Sequence, residues 1–305
     1  GATTLEKPAA VGRAMARAAH TMSSPGRGSY PASRLAGETA YLCRQEAAEL
    51  LGVPQPENVV ITGSATHGLN LAIRSLLGPG DRVVISGYEH NAVTRPLHAI
   101  PGLSVTVIDT PPFRPDLAAE EFCRAIRQKR PRAVICTHVS NVFGAVLPVE
   151  DIARCCRETD TPLIVDASQS AGVLPVDLAG WGAAFVAMPG HKGLLGPQGT
   201  GLLLCAQPGT PLIYGGTGTQ SLSREMPEEL PERLEAGTLN VPGYAGLTQG
   251  LRYLNRVGTE GGFRREQGLA EHCAHGLIRQ GFRVFAGPHQ GATVSFVPSV
   301  DCETG

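Results

Sequence analysis

Pro162-Leu-Ile-Val-Asp166-Ala-Ser-Gln169 is an apolar run that ends on a carboxylate and then turns small and polar. An apolar run without alternation suits a strand covered on both faces, the condition of a parallel sheet wrapped by helices. The pattern recurs on either side of it. Candidate strands are Asn58–Thr62, Arg82–Ser86, Ser104–Ile108, Ala133–Thr137, Ala184–Ala187 and Gly201–Cys205, while Ala65–Leu77, Asp116–Lys129 and Val149–Glu158 carry helical spacing between them. Strands alternating with helices over residues 58–205 place the chain in the α/β class, with a mainly parallel sheet covered by helices on both faces.

Residues 206–245 are rich in Gly, Pro and acidic side chains and read as a long loop region, followed by a helix over Tyr244–Val257. Beyond it a polar helix over Gly262–Gln280 and strand-like Phe282–Phe285 and Thr293–Val297 read as the first part of a small α/β domain. The expected division is an N-terminal segment 1–20, a large domain 21–257 and an incomplete small domain 258–305 that continues past Gly305.

A chain of 305 residues can bury a large core. Its net charge of -1, with Lys and Arg spread along the chain, offers nucleic acid no basic stripe. There is no run of eighteen apolar residues and no charged start leading into an apolar stretch, so neither a membrane span nor a secretory signal is expected, and the default location is cytoplasmic. Eight cysteines lie scattered without paired CxxC spacing, so no metal site is expected and most thiols should be reduced, buried or inert.

In open α/β sheets ligands bind beyond the carboxyl ends of the strands, so polar residues after apolar runs are the candidates. Thr62-Gly-Ser-Ala65-Thr66-His67 leads into a helix whose first N–H groups could take a phosphate; equally, Ser64 or Thr66 could simply cap that helix. Tyr88-Glu-His90-Asn91, His138-Val-Ser-Asn141 and Asp166-Ala-Ser-Gln169 should reach the same crevice. Asp166 is costly to bury unless it pairs with a cation, such as a protonated pyridine nitrogen, or caps the segment after it. Pro189-Gly-His191-Lys192-Gly-Leu-Leu-Gly-Pro-Gln-Gly-Thr-Gly201 sets a lysine in a glycine-rich turn between two strands. An amine there could form an imine, although it could also be an ordinary surface lysine. The run lacks the spacing of a nucleotide-binding loop.

In order and spacing these segments, with Ala2-Thr-Thr near the start, Glu89-His90-Asn91-Ala92, Ser140-Asn141-Val-Phe-Gly144, Gly196-Pro197 and Glu235-Ala-Gly-Thr238, resemble the class V aminotransferase family of pyridoxal-phosphate (PLP) enzymes. The likeness is strongest to its cysteine desulfurase and selenocysteine lyase branch. It implies PLP fold type I, PLP as cofactor, and removal of sulfur or selenium from an L-amino acid to give alanine. An aminotransferase or epimerase of the same fold is the alternative; a degenerate PLP fold serving assembly or regulation is the non-enzyme alternative.

By the same resemblance Lys192 carries the cofactor as a Schiff base and moves the substrate proton, Asp166 keeps the ring nitrogen protonated, and His90 stacks on the ring as the second catalytic residue. Gln169 bonds the phenolic oxygen, which Asn141 reaches along with the substrate carboxylate. Thr66 and His191 hold the phosphate, and Ala65 is a further cofactor-binding residue. Thr238 reaches the site of a neighbouring subunit, which implies a homodimer, and a sulfur-acceptor protein is a further possible partner. Pro189 stands where the family usually has a hydroxyl, and the family's substrate arginine and mobile cysteine are expected beyond Gly305. Cys302 is assigned no role of that kind.

Overall fold

The computed structural model describes residues 6–26, 28–220 and 222–298, so Ala2-Thr-Thr and Cys302 lie outside the described residues. Its strands are β1 (Val59–Thr62), β2 (Arg82–Ser86), β3 (Ser104–Ile108), β4 (Ala133–Thr137), β5 (Leu163–Asp166), β6 (Phe185–Pro189), β7 (Gly201–Cys205), β8 (Arg283–Phe285) and β9 (Ser295–Val297). The helices are α1 (Ala9–Thr21), α2 (Pro31–Leu50), α3 (Ala65–Leu76), α4 (Asn91–His98), α5 (Pro115–Lys129), α6 (Val149–Glu158), α7 (Leu178–Trp181), α8 (Val241–Val257) and α9 (Glu260–Arg279).

The first seven strands form one sheet in the order β1-β7-β6-β5-β4-β2-β3, and β8 pairs with β9 in a separate two-stranded sheet. Within the large sheet β7 runs antiparallel to both neighbours and the remaining pairs are parallel. The exception has a local cause. Parallel neighbours need a crossover of a dozen or more residues, usually a helix, and the turn from Gly190 to Thr200 carries none. That turn contains Lys192.

The apolar strands are covered on both sides, except the edge strand β3, where Val105 and Val107 are exposed. Val59, Ile61, Val84, Val134, Val165 and Val186 join one buried cluster with residues of α2, α5, α6 and α8. Their strand neighbours Val60, Ile85, Ile135, Ile164 and Phe185 join a second cluster with residues of α3 and α4. Alternate residues of one strand thus enter opposite clusters, which is why these strands read as continuous hydrophobic runs. Helices α1 and α2 pack against α8, and α9 packs against β8.

Two features go beyond the sequence reading. The structure joins Cys123 of α5 to Cys155 of α6 in a disulfide, with Cα atoms 5.5 Å apart, so these two are not reduced thiols. Helix α4, interrupted by Pro96, was not apparent from spacing.

Candidate active site

The strand exits build one cavity of about 210 Å³. From α3 come Ala65 and Thr66, and from the start of α4 comes His90. Asn141 follows β4, Asp166 ends β5 with Gln169 just beyond it, and His191 and Lys192 follow β6. Ser64, Thr137, Ser168 and Pro189 also line the cavity.

Local geometry explains how each side chain arrives there. Ser64 caps α3 by accepting the His67 N–H at 3.2 Å, so the helix begins at Ala65 with its amide end toward the cavity wall that Ala65 and Thr66 form. A Cβ on Gly201 would lie 2.6 Å from the Ser64 carbonyl carbon, so only glycine lets β7 come this close to the helix entry. His90 caps α4, its Nδ1 accepting the Ala92 N–H at 3.0 Å, which fixes the ring and leaves Nε2 to carry any proton of the neutral form.

Asp166 is 2 % exposed. Its Oδ1 accepts the Ser168 N–H at 2.9 Å, so it does cap the segment that follows, and it lines the cavity as well. Burial pushes its carboxyl above the usual range, against the Ser168 hydrogen bonds and the positive charges of Lys192 and His90. Burial lowers Lys192 below the ordinary ammonium range, with Asp166 opposing the shift. His191 is lowered by burial and by the charges of Lys192 and Lys7.

Not every expected residue reaches this cavity. His138 turns away: it is buried edge-on to Trp181 at 5.1 Å between ring centroids, and burial lowers it to about 4. Tyr88 donates its hydroxyl to the Thr110 carbonyl instead. Thr238, expected at a neighbouring subunit's site and not at this one, lines a separate cleft of about 380 Å³ with Thr217, Arg44 and Glu235. There Arg44 and Glu235 form a buried ion pair at 2.7 Å, and Glu235 also accepts the Ile61 N–H at 2.6 Å. Burial nevertheless pushes Glu235 up to about 7.

Glu89 is the residue that sequence reasoning left without a role. Its Oε1 accepts the Ser86 hydroxyl at 2.5 Å and the Thr137 N–H at 2.7 Å, continuing the β2–β4 pairing by side chain past the last paired residues. Its Oε2 is buried without a partner, and burial, with Asp166 adding to the shift, raises it to about 7. Its place directly before the capping histidine was the available signal.

Among known families, residues 1–303 match the family Aminotransferase class-V. A probable cysteine desulfurase of Methanothermobacter thermautotrophicus is 31% identical, the match covering 99% of this chain and 73% of that protein. A probable cysteine desulfurase of Mycolicibacterium paratuberculosis is 30% identical, over 97% of this chain and 45% of that protein. The apo structure of a cysteine desulfurase from Thermococcus onnurineus NA1 superposes with a TM-score of 0.86 at 29% identity, covering 98% of this chain and 78% of that one. Among the described residues no helix is long and apolar enough to cross a membrane.

Proposed function

This chain belongs to the aminotransferase class-V family, and on that premise we propose that it is a PLP-dependent enzyme that removes sulfur, or selenium, from L-cysteine or a similar amino acid and leaves alanine. One observation carries the reading: a single cavity holds both an amine, Lys192, that burial lowers below the ordinary ammonium range, and a buried carboxylate, Asp166, that burial raises. A cation opposite a buried carboxylate favours its ionised form. A pyridinium nitrogen is such a cation, and the amide end of α3 suits a phosphate, so the residues fit PLP.

Lys192 would hold the cofactor covalently, Asp166 would face its ring nitrogen, and His90 would lie on its ring. Gln169 and Asn141 would bond its phenolic oxygen, and Ala65, Thr66 and His191 its phosphate. When bound, PLP supplies an electron sink for the pair released at the substrate Cα. Lys192 Nζ, kept below the ammonium range, takes the Cα proton and returns it. Asp166, ionised opposite the ring cation, keeps that sink charged, while Asn141 orients the substrate carboxylate.

Desulfuration also needs an exposed thiolate. Burial pushes Cys43 and Cys156 up to about 12 and raises Cys136 and Cys205, so none of these four serves. Two copies of the chain would share their sites, Thr238 of each reaching the other; its place in a cleft apart from Lys192 supports this.

The test is to load the protein with PLP, add L-cysteine with a thiol reductant, and identify the products beside a Lys192→Ala control. Alanine with sulfide or persulfide is expected. Pyruvate with ammonia, or a cofactor converted to its amine form, would move the protein to another reaction class.

A further inference from the structure

The turn that carries Asn141 is closed locally. Ser140 Oγ accepts the N–H groups of Val142 at 3.3 Å and Phe143 at 3.2 Å, and Gly144 N–H donates to the Ser140 carbonyl at 2.9 Å. These bonds set the shape of the turn. They leave its tilt over the cavity to whatever packs on its far side.

That far side is held by a segment some 150 residues later in the chain. Gln290, 5 % exposed, reaches the turn with one side-chain bond and ties its amide to its own segment with two more. Its Nε2 donates to the Phe143 carbonyl at 3.2 Å and to the Thr293 carbonyl at 2.7 Å, and its Oε1 accepts the Gly287 N–H at 3.3 Å. The backbone agrees: Gly291 N–H donates to the Gly144 carbonyl at 2.8 Å, and Ala145 bridges Gln290. Ser295 Oγ donates to the Val142 carbonyl at 2.5 Å, and the Phe143 and Phe285 rings meet at 5.2 Å. The fit is close, because a Cβ on Gly144, whose φ is +70°, would lie 2.6 Å from the Thr293 carbonyl oxygen. The segment that grips the turn supplies no residue to the cavity itself.

We infer that Gln290 is a positioning residue for the amino-acid substrate: it clamps the turn after Asn141 to the β8–β9 unit and so sets where the Asn141 amide meets the substrate. The inference rests on the proposed role of Asn141 at the substrate carboxylate. It assigns Gln290 no part in holding PLP.

The test measures L-alanine binding to the PLP-loaded protein, read from the change in visible absorption, beside PLP affinity and thermal melting. Gln290→Met keeps the volume and removes the three bonds. It should raise the L-alanine dissociation constant about tenfold, the worth of one or two hydrogen bonds, with PLP affinity within about twofold. Asn141→Ala should weaken L-alanine binding by the same factor and also lose the PLP affinity that its bond to the phenolic oxygen contributes, and the double variant should bind L-alanine no more than about twofold more weakly than either single one. Ser295→Ala, which removes one exposed bond and spares the fold should Gln290→Met not fold, should weaken L-alanine binding about twofold. If Asn141→Ala loses affinity while Gln290→Met or, failing that, Ser295→Ala does not, or if the losses add, the clamp is wrong and the role of Asn141 stands. If Asn141→Ala binds L-alanine like the parent protein, the role of Asn141 fails and the clamp with it.

Discussion

Two clefts of this protein bury charge in different ways. In the Arg44 cleft the side chains of Arg44 and Glu235, 7 % and 5 % exposed, answer each other at 2.7 Å. In the Lys192 cavity Asp166 accepts the Ser168 N–H, and burial raises its carboxyl while lowering the Lys192 amine. An ion pair closed within the protein braces a fold; a buried carboxylate held by a backbone N–H suits a ligand that brings a countercharge. The contrast separates the cavity proposed to carry chemistry from the larger Arg44 cleft.

Breaking the contrast should give the largest effect at Lys192. Lys192→Ala should abolish the visible absorption of the PLP-loaded protein and cut alanine formation by roughly 10²–10⁴-fold while melting stays close to that of the parent. Retained absorbance would remove Lys192 from its proposed place.

Arg44 should fail the other way. Arg44→Ala leaves Glu235 buried without its cation and should cost about 3–5 kcal/mol in urea unfolding, and Arg44→Met with Glu235→Leu should recover most of it. An Arg44→Ala protein as stable as the parent would mean that the pair braces nothing.

Asp166→Asn should keep PLP bound and slow exchange of the substrate Cα proton about a hundredfold, since a neutral ring is a poor sink. Exchange at the parent rate would show that the carboxylate needs no ring cation.

Glu89 sharpens the comparison through pH. Its carboxyl is raised from the usual range to about 7, so the native state holds its proton more tightly than the unfolded chain does. The stability this contributes is complete below about pH 4.5 and is lost as pH rises through about 7. Glu89→Gln should therefore lose less stability than the parent between pH 5 and 8 in urea midpoints. Glu235, raised over the same range, keeps part of the slope in both proteins. Parallel curves would place the titration elsewhere.

The smallest effect belongs to Thr238. Thr238→Ala should weaken PLP retention by a few-fold, about one hydrogen bond. In a dimer mixed with Lys192→Ala, one site should carry both lesions and the other neither, so retention by the intact site should match the parent. A monomer by sedimentation that keeps PLP at low concentration would end the shared-site reading.

Much of the Lys192 cavity was legible because its residues follow apolar strands in sequence, so a local pattern located Asp166, Gln169, Asn141 and the Gly-His-Lys turn together. The same rule misplaced His138 and Tyr88. Which side a residue takes after a strand ends depends on the next turn of backbone, and His138 turned to Trp181. Glu89 was hidden for the same reason, one position from a residue that does face the cavity. The Cys123–Cys155 link had no spacing signature, because it joins two helices that become neighbours only as the sheet orders them.

The sequence by itself determined the α/β class, the run of the strands and the identity of the groups at their ends, because each of these is written in contiguous residues whose periodicity reflects burial. Only the tertiary structure decided that β7 runs antiparallel, that Arg44 meets Glu235 and that Gln290 grips the turn beyond Asn141. Those contacts join residues far apart in the chain, and nothing in the local pattern of either partner specifies the other.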